Sequence, residues 1–322
     1  MTLMSDRPEK FAALRRFYRR HASDNVQRRI NRRILAFRLL RADMRWKLSS
    51  TETRMNWARR RLNLDSAGWL FILGASNSGT TLFTRLLGLH PFIRDLQGEG
   101  QRITRALPRP RHFGLGRIWT QRLDAFRWTE TDDASSVERC MFDWAYNAPR
   151  GDGYVLEKSP PNVVRARWLQ QNFQPCRFIV LTRSPYAVCE GICRRKQYDI
   201  TVAAEHWAKA HDILHEDIPH LSNVLQLTYE RLCEDTQNVL QEIESFLSLP
   251  QPFDPELLAR EFPIHNIDDK PTMIRNFNDQ SVARLSADDI DTITQHTESA
   301  MRKFDYEPFA ASRTPNAPVA SD

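Results

Sequence analysis

The stretch GASNSGTT, residues 74–81, directly follows the apolar run WLFIL. Gly74 and Gly79 stand at the spacing of a loop whose backbone N–H groups cradle a phosphate. Ser76, Asn77, Ser78, Thr80 and Thr81 add side-chain hydrogen-bond donors to it. A helix that starts near residue 80 turns its positive end toward the same place. The nucleoside triphosphate form of this loop carries a lysine after the second glycine, and here Thr80 takes that position. Without the lysine a triphosphate and its metal are poorly neutralised, so the loop suits a less highly charged phosphate. Arg183 is a second candidate, because it stands just past the apolar run RFIVLT, where a guanidinium can grip a phosphate bidentately.

These groups need a scaffold, and the pattern around them supplies one. Short apolar runs at 69–73, 92–96, 154–156, 177–182 and 224–227 alternate with helical patterns at 80–89, 160–174, 185–197 and 201–217. Buried strands alternating with helices predict an α/β fold, a parallel sheet flanked by helices, with ligands at the C-terminal edge of the strands. Helices near 234–247 and 286–304 complete it, the latter capped by Ser286 with Asp288 and Asp289 in its first turn. Residues 100–150 fit the scheme poorly. Trp119, Phe126, Trp128, Phe142, Trp144 and Tyr146 lie there among polar residues, as a lid or acceptor wall or as a plain helical insert.

Charge divides the chain of 322 residues, whose net charge is +6. Residues 1–65 hold 18 Lys+Arg against 6 Asp+Glu, a net +12, whereas the remainder carries −6. The positive field therefore belongs to an N-terminal arm, which argues against specific nucleic-acid binding by the whole protein. Val26, Ile30, Ile34, Phe37, Met44 and Leu48 form a helical stripe among arginines. Such an arm can pack on the body, dock on an anionic membrane, or capture an acidic polymer or acceptor. The organisation expected is a basic helical arm over 1–65, an α/β domain over 66–309 and a loose tail over 310–322. No apolar run reaches the length of a membrane span, and five cysteines without a C-x-x-C pair suit a reducing cytoplasm.

The loop resembles the 5′-phosphosulfate loop of the sulfotransferases, which reads roughly G-x-P-[RK]-S-G-T-[ST]. Further segments resemble that family in the same order, most closely its tyrosylprotein and related bacterial branch, over residues 69–306. The resemblance implies a P-loop-containing, sulfotransferase-like fold and 3′-phosphoadenosine-5′-phosphosulfate as donor, with no metal. In HPFIRDLQGEG, residues 90–100, it makes Glu99 the base that takes the acceptor's proton. In YVLEKSPPN, residues 154–162, it makes Lys158 the cation that stabilises the leaving phosphate. In RFIVLTRSPYAVCEGICRR, residues 177–195, it assigns the 3′-phosphate to Arg183, Gly191 and Arg195, with Arg194 a competing choice. TYERLCED places Tyr229 near the nucleotide, and NDQSVARLSADD places Ser281 near the sulfate.

Two positions depart from that pattern. Asn77 stands where the family carries Arg or Lys, and Gly191 where it carries a serine. The function expected is sulfuryl transfer to a hydroxyl or amine of a saccharide, peptide or small molecule. A divergent P-loop nucleoside or nucleotide kinase using Mg²⁺ and Glu157, or a non-catalytic binding module with a degenerate donor site, are the competing accounts.

Overall fold

The computed structural model describes residues 37, 40–96, 98–196, 198–256, 262–263, 271–272 and 274–309. The chain divides between Arg54 and Met55, inside helix α1 (Thr51–Leu62). In the first unit residues 40–47 are helical, and Phe37, Leu40, Met44 and Leu48 are exposed. Most of the arm expected over 1–65, and the tail over 310–322, lie outside the described residues. Among the described residues no helix is long and apolar enough to cross a membrane.

In the second unit the elements alternate as strand and helix. They are β1 (Trp69–Leu73), α2 (Thr80–Leu87), β2 (Ile93–Asp95), α3 (Ser135–Asn147), β3 (Tyr154–Lys158), α4 (Ala166–Asn172) and β4 (Cys176–Thr182). Helices α5 (Pro185–Lys196) and α6 (Ile200–Asp217), β5 (Val224–Thr228), α7 (Thr236–Leu247) and α8 (Ala287–Arg302) follow. The five strands form one sheet in the order β2-β3-β1-β4-β5, and every pairing is parallel. A parallel sheet buries both faces, so its central strands read as unbroken apolar runs. All five residues of β1 are buried.

The two-residue period of β1 sorts its side chains between two cores. Leu70 and Ile72 pack with Phe83, Leu86, Val239 and Ile243. Trp69 and Phe71 face an aromatic layer built from Trp144, Phe173 and Phe178. Each fully buried Phe or Leu in these layers contributes roughly 1.5–3 kcal/mol. This packing answers the open question of residues 100–150 for four of their six aromatic rings. Trp119, Phe126, Phe142 and Trp144 are at most 1% exposed, on short helical pieces, whereas Trp128 and Tyr146 are half-buried. Those four rings are walled in, and none of them forms an acceptor wall. Ser286 and Asp289 cap α8 as a capping box.

Helix α6 buries two histidines. His206 Nδ1 and Thr120 Oγ1 share a hydrogen bond of 2.7 Å, and His211 stacks on Trp207 with centroids 3.9 Å apart. Burial pushes His206 down to about 3 and His211 down to about 4. Between those values and about 6.5 the unfolded chain binds more protons than the folded one, so stability rises with pH across that window. Urea unfolding from pH 7 to pH 4 therefore shows stability that is full above pH 6.5 and lost progressively below it. In His211→Phe the slope between pH 6 and 4.5 flattens by up to about 1.4 kcal/mol per pH unit, one proton's worth. An unchanged slope means that His211 takes its proton without unfolding.

Candidate active site

Strand register sets the site. β1 lies between β3 and β4, with Ile72 opposite Lys158 and Leu73 opposite Val180. The loop that leaves β1 at Gly74 therefore emerges with Lys158 on one side and the end of β4, followed by Arg183, on the other. This is the C-terminal edge where open α/β sheets bind ligands.

The loop is narrow because its backbone is shaped for it. Gly79 has φ 83° and Asn77 has φ 70°, a region that glycine and asparagine tolerate best. A Cβ on Gly79 would lie 2.5 Å from Tyr229 Cδ2, so the loop sits flat against that ring. Ser76, Ser78 and Thr80 are buried, whereas Thr81 is exposed. Ser78 is 0% exposed, and neither its Oγ nor Asn77 Nδ2 has a hydrogen-bond partner among the described residues. Buried donors are seldom left unmade, so these two atoms are open to an acceptor from outside the loop.

On the β4 side Arg183 is held from several directions. Its Nη1 donates to the Asn77 carbonyl at 2.9 Å and its Nε to Asn278 Oδ1 at 2.8 Å. The guanidinium lies 4.1 Å over the Tyr229 ring, and Trp207 Nε1 donates to the Arg183 carbonyl at 3.2 Å. Glu230 braces the arrangement from behind. It accepts from Ser184 N at 3.0 Å, Asn278 Nδ2 at 2.5 Å and Tyr306 Oη at 2.9 Å. Tyr229 is buried, its hydroxyl donating to the Arg275 carbonyl at 3.0 Å, and desolvation raises its pKa.

On the β3 side, Lys158 Nζ and Glu99 Oε1 stand 3.8 Å apart. Glu99 Oε2 pairs with Arg102 Nε at 2.9 Å and accepts from Gln101 Nε2 at 2.8 Å. Lys158 is buried, and desolvation lowers its pKa while Glu99 opposes that shift. The preceding residue fixes the geometry. Glu157 points to the other face, fully buried, and accepts from Gly100 N at 2.8 Å, Ser159 Oγ at 2.6 Å and Asn162 Nδ2. A Cβ on Gly100 would collide with the Glu157 carboxylate, so only glycine lets the segment bearing Glu99 dock there. Both oxygens of Glu157 are thus engaged by the chain, and it does not face the loop as a magnesium ligand would.

The remaining candidates fall around the Arg183 pole. Gly191 lies buried on α5 beside the loop, 3.2 Å from Asn77 Cγ if given a Cβ. Arg194 is engaged by Glu190 at 2.6 Å, whereas the charge of Arg195 bears on Arg117 close to the loop. Ser281 is buried on the short helix Asn278–Val282, the helix that brings Asn278 to Arg183. Among the described residues no hydrogen bond or ion pair joins Ser281 to Glu99 or Lys158. Sequence reasoning missed Glu230, Asn278 and Arg117. Glu230 had a signal, since it adjoins Tyr229 in TYERLCED, but Arg117 stands in no recognisable motif.

The family model described as "Sulfotransferase family" matches residues 70–255, more than half of the chain. The chain is 23% identical over 198 residues to protein-tyrosine sulfotransferase 1 of Danio rerio, covering 56% of this chain and 53% of that protein. The same identity and length relate it to protein-tyrosine sulfotransferase 2 of Gallus gallus, covering 56% and 51%. The chain thus spans about half the length of the relatives it matches. A solved sulfotransferase domain from the Synechococcus PCC 7002 olefin synthase is 20% identical, covers 74% of this chain and 94% of its own, and has a TM-score of 0.49. With a family match over most of the α/β domain, and the loop, lysine and arginine at one sheet edge, the chain belongs to the sulfotransferase family.

Proposed function

We propose that this sulfotransferase moves a sulfuryl group from 3′-phosphoadenosine-5′-phosphosulfate to a hydroxyl or amine of an acceptor. The observation that carries the reading is the Lys158–Glu99 pair, 3.8 Å apart beside a glycine loop whose buried Ser78 hydroxyl is unpartnered. The residues present fit such a donor. Ser76, Asn77, Ser78, Gly79, Thr80 and Thr81 hold the 5′-phosphate. Arg183, Gly191 and Arg195 hold the 3′-phosphate, with Tyr229 supporting Arg183 and Ser281 completing the cover. The donor supplies the activated sulfur.

Glu99 takes the proton of the acceptor O–H or N–H as the acceptor atom attacks sulfur. Lys158 meets the negative charge that gathers on the phosphate oxygen as its bond to sulfur breaks. One bond to sulfur forms, one breaks, and the proton ends on Glu99. Burial makes the Lys158 cation count for more than it would in water. The acceptor class is a saccharide, peptide or small molecule, and the names of the relatives make a protein tyrosine hydroxyl the first to try. The N-terminal arm is assigned to an anionic membrane or acidic polymer. The five free cysteines suit a cytoplasmic protein.

The test follows release of adenosine 3′,5′-bisphosphate from donor, with and without acceptors, alongside bisphosphate binding by calorimetry. Glu99→Gln loses about 100-fold or more of kcat while bisphosphate affinity stays within threefold. Lys158→Ala loses about 100- to 1,000-fold of kcat. A wild-type protein that neither binds the bisphosphate nor releases it ends this reading.

The depressed pKa of Lys158 adds a second test that needs no acceptor. A lysine whose pKa is lowered by burial loses its proton as pH rises through a value below 10.5, and its attraction for the ligand goes with it. Bisphosphate affinity in the wild type therefore falls between neutral pH and pH 10. In Lys158→Arg the affinity holds across that range, because a guanidinium stays charged. Parallel decline in both proteins assigns the titration elsewhere.

A further inference from the structure

Arg117 lies in the irregular stretch between Phe113 and Trp119, far along the chain from the glycine loop, yet its Nη1 donates to Asn77 Oδ1 at 2.7 Å. It is half-buried. The Asn77 amide that receives it rests over Gly191, where a Cβ would stand 3.2 Å from both Cγ and Nδ2. A serine at 191 would crowd that amide. The two departures from the family pattern, Asn77 for a cation and Gly191 for a serine, are therefore one packing arrangement. The missing Cβ makes room for the amide, and the amide oxygen is the ledge on which the guanidinium rests.

Several arginines stand near Arg117. Desolvation lowers its pKa most, the charges of Arg195, Arg102 and Arg194 lower it further, and Glu99 opposes them. Arg102 and Arg194 already meet Glu99 and Glu190, so an added anion at Arg117 would find a half-buried guanidinium with the charge of Arg195 bearing on it. A guanidinium presents donors in a fixed fork, so Nη1 can hold Asn77 while its other N–H groups reach a phosphate.

We propose that Arg117 is the cation of the phosphate loop, binding the 5′-phosphate end of the donor in place of the Arg or Lys that position 77 lacks. The assignment rests on the donor reading above and adds to it a binding residue from outside the loop. It also implies that the loop gains its charge only when the segment around residue 117 is folded against it.

Two ligands separate the poles of the site: adenosine 3′,5′-bisphosphate, and adenosine 3′-monophosphate, which lacks the 5′-phosphate. In calorimetry with the full chain, Arg117→Gln weakens the bisphosphate by roughly 10- to 100-fold. It leaves the 3′-monophosphate within twofold. Adding Asn77→Arg to Arg117→Gln returns a cation to the loop and restores most of the bisphosphate affinity. Equal loss of both ligands, or no loss of either, overturns the inference while the donor reading stands. Wild-type protein that binds neither ligand removes the reading, and the inference falls with it. Should Arg117→Gln fail to fold, the wild type carries the test. Phenylglyoxal labelling of Arg117, read by mass spectrometry, is blocked by the bisphosphate and not by the 3′-monophosphate. Labelling that neither ligand slows overturns the inference.

Discussion

A buried carboxylate holds the Lys158 side of the candidate site together. Glu157 pays a desolvation penalty that raises its pKa, and its hydrogen bonds to Ser159, Asn162 and Gly100, together with the charge of nearby Arg165, oppose that rise. Its oxygens tie down two stretches of chain: the Gly100 backbone, and the turn after the strand through Ser159 and Asn162. Because side chains alternate along a strand, fixing Glu157 on the inner face fixes Lys158 on the outer one. Because Gly100 hangs from Glu157, the neighbouring Glu99 is delivered to Lys158. Arg165 completes the network beneath, its Nε donating to Asn162 Oδ1 at 2.9 Å and burial pushing its pKa down to about 10. The two groups that would handle proton and leaving group are thus set by one residue that touches neither ligand.

The opposite pole follows a different logic, in which a cation is braced by neutral and acidic groups. Arg183 spends one N–H on the Asn77 carbonyl and another on Asn278, and its flat face lies on Tyr229. Glu230 accepts from three partners that all surround Arg183, so its charge acts as a counterweight set back from the ligand face. Preorganisation of this kind removes the need to order a flexible side chain on binding. It also couples the loop to the β4 end, because the same guanidinium touches both.

The sheet was legible in the sequence, and for a physical reason. Strands such as WLFIL and RFIVLT are buried on both faces, so their apolar runs are unbroken and stand out against the helical period. The glycine loop was legible because positive φ at residue 79 demands glycine. The end of β3 was legible only in part. Lys158 was assigned through the family resemblance, and Glu157 beside it was the convenient metal ligand of the kinase reading until burial showed it turned inward. Residues 100–150 were opaque because their elements are short and irregular, and because aromatics serve a core and a ligand wall equally well on paper. Trp144 illustrates the difficulty: its ring meets Trp69 edge-on, and its Nε1 donates to the Gly100 carbonyl at 3.1 Å. Both partners are distant in sequence, and no periodicity encodes them.

The same long-range character explains why the two departures from the family pattern mislead when taken singly. Read by position, Asn77 is a lost charge and Gly191 a lost hydroxyl, and each would weaken the proposed donor site. Read in space, they make one cavity and fill it, and the filling ends at Arg117. A sequence motif records what a loop carries, whereas a binding site needs only that the charge arrive near the phosphate. Electrostatic attraction depends on distance and surroundings and is indifferent to which segment brings the cation. A charge missing from a motif therefore says little until the neighbours of the empty position are known. Here the neighbour is a guanidinium already hydrogen-bonded to the residue that replaced the cation.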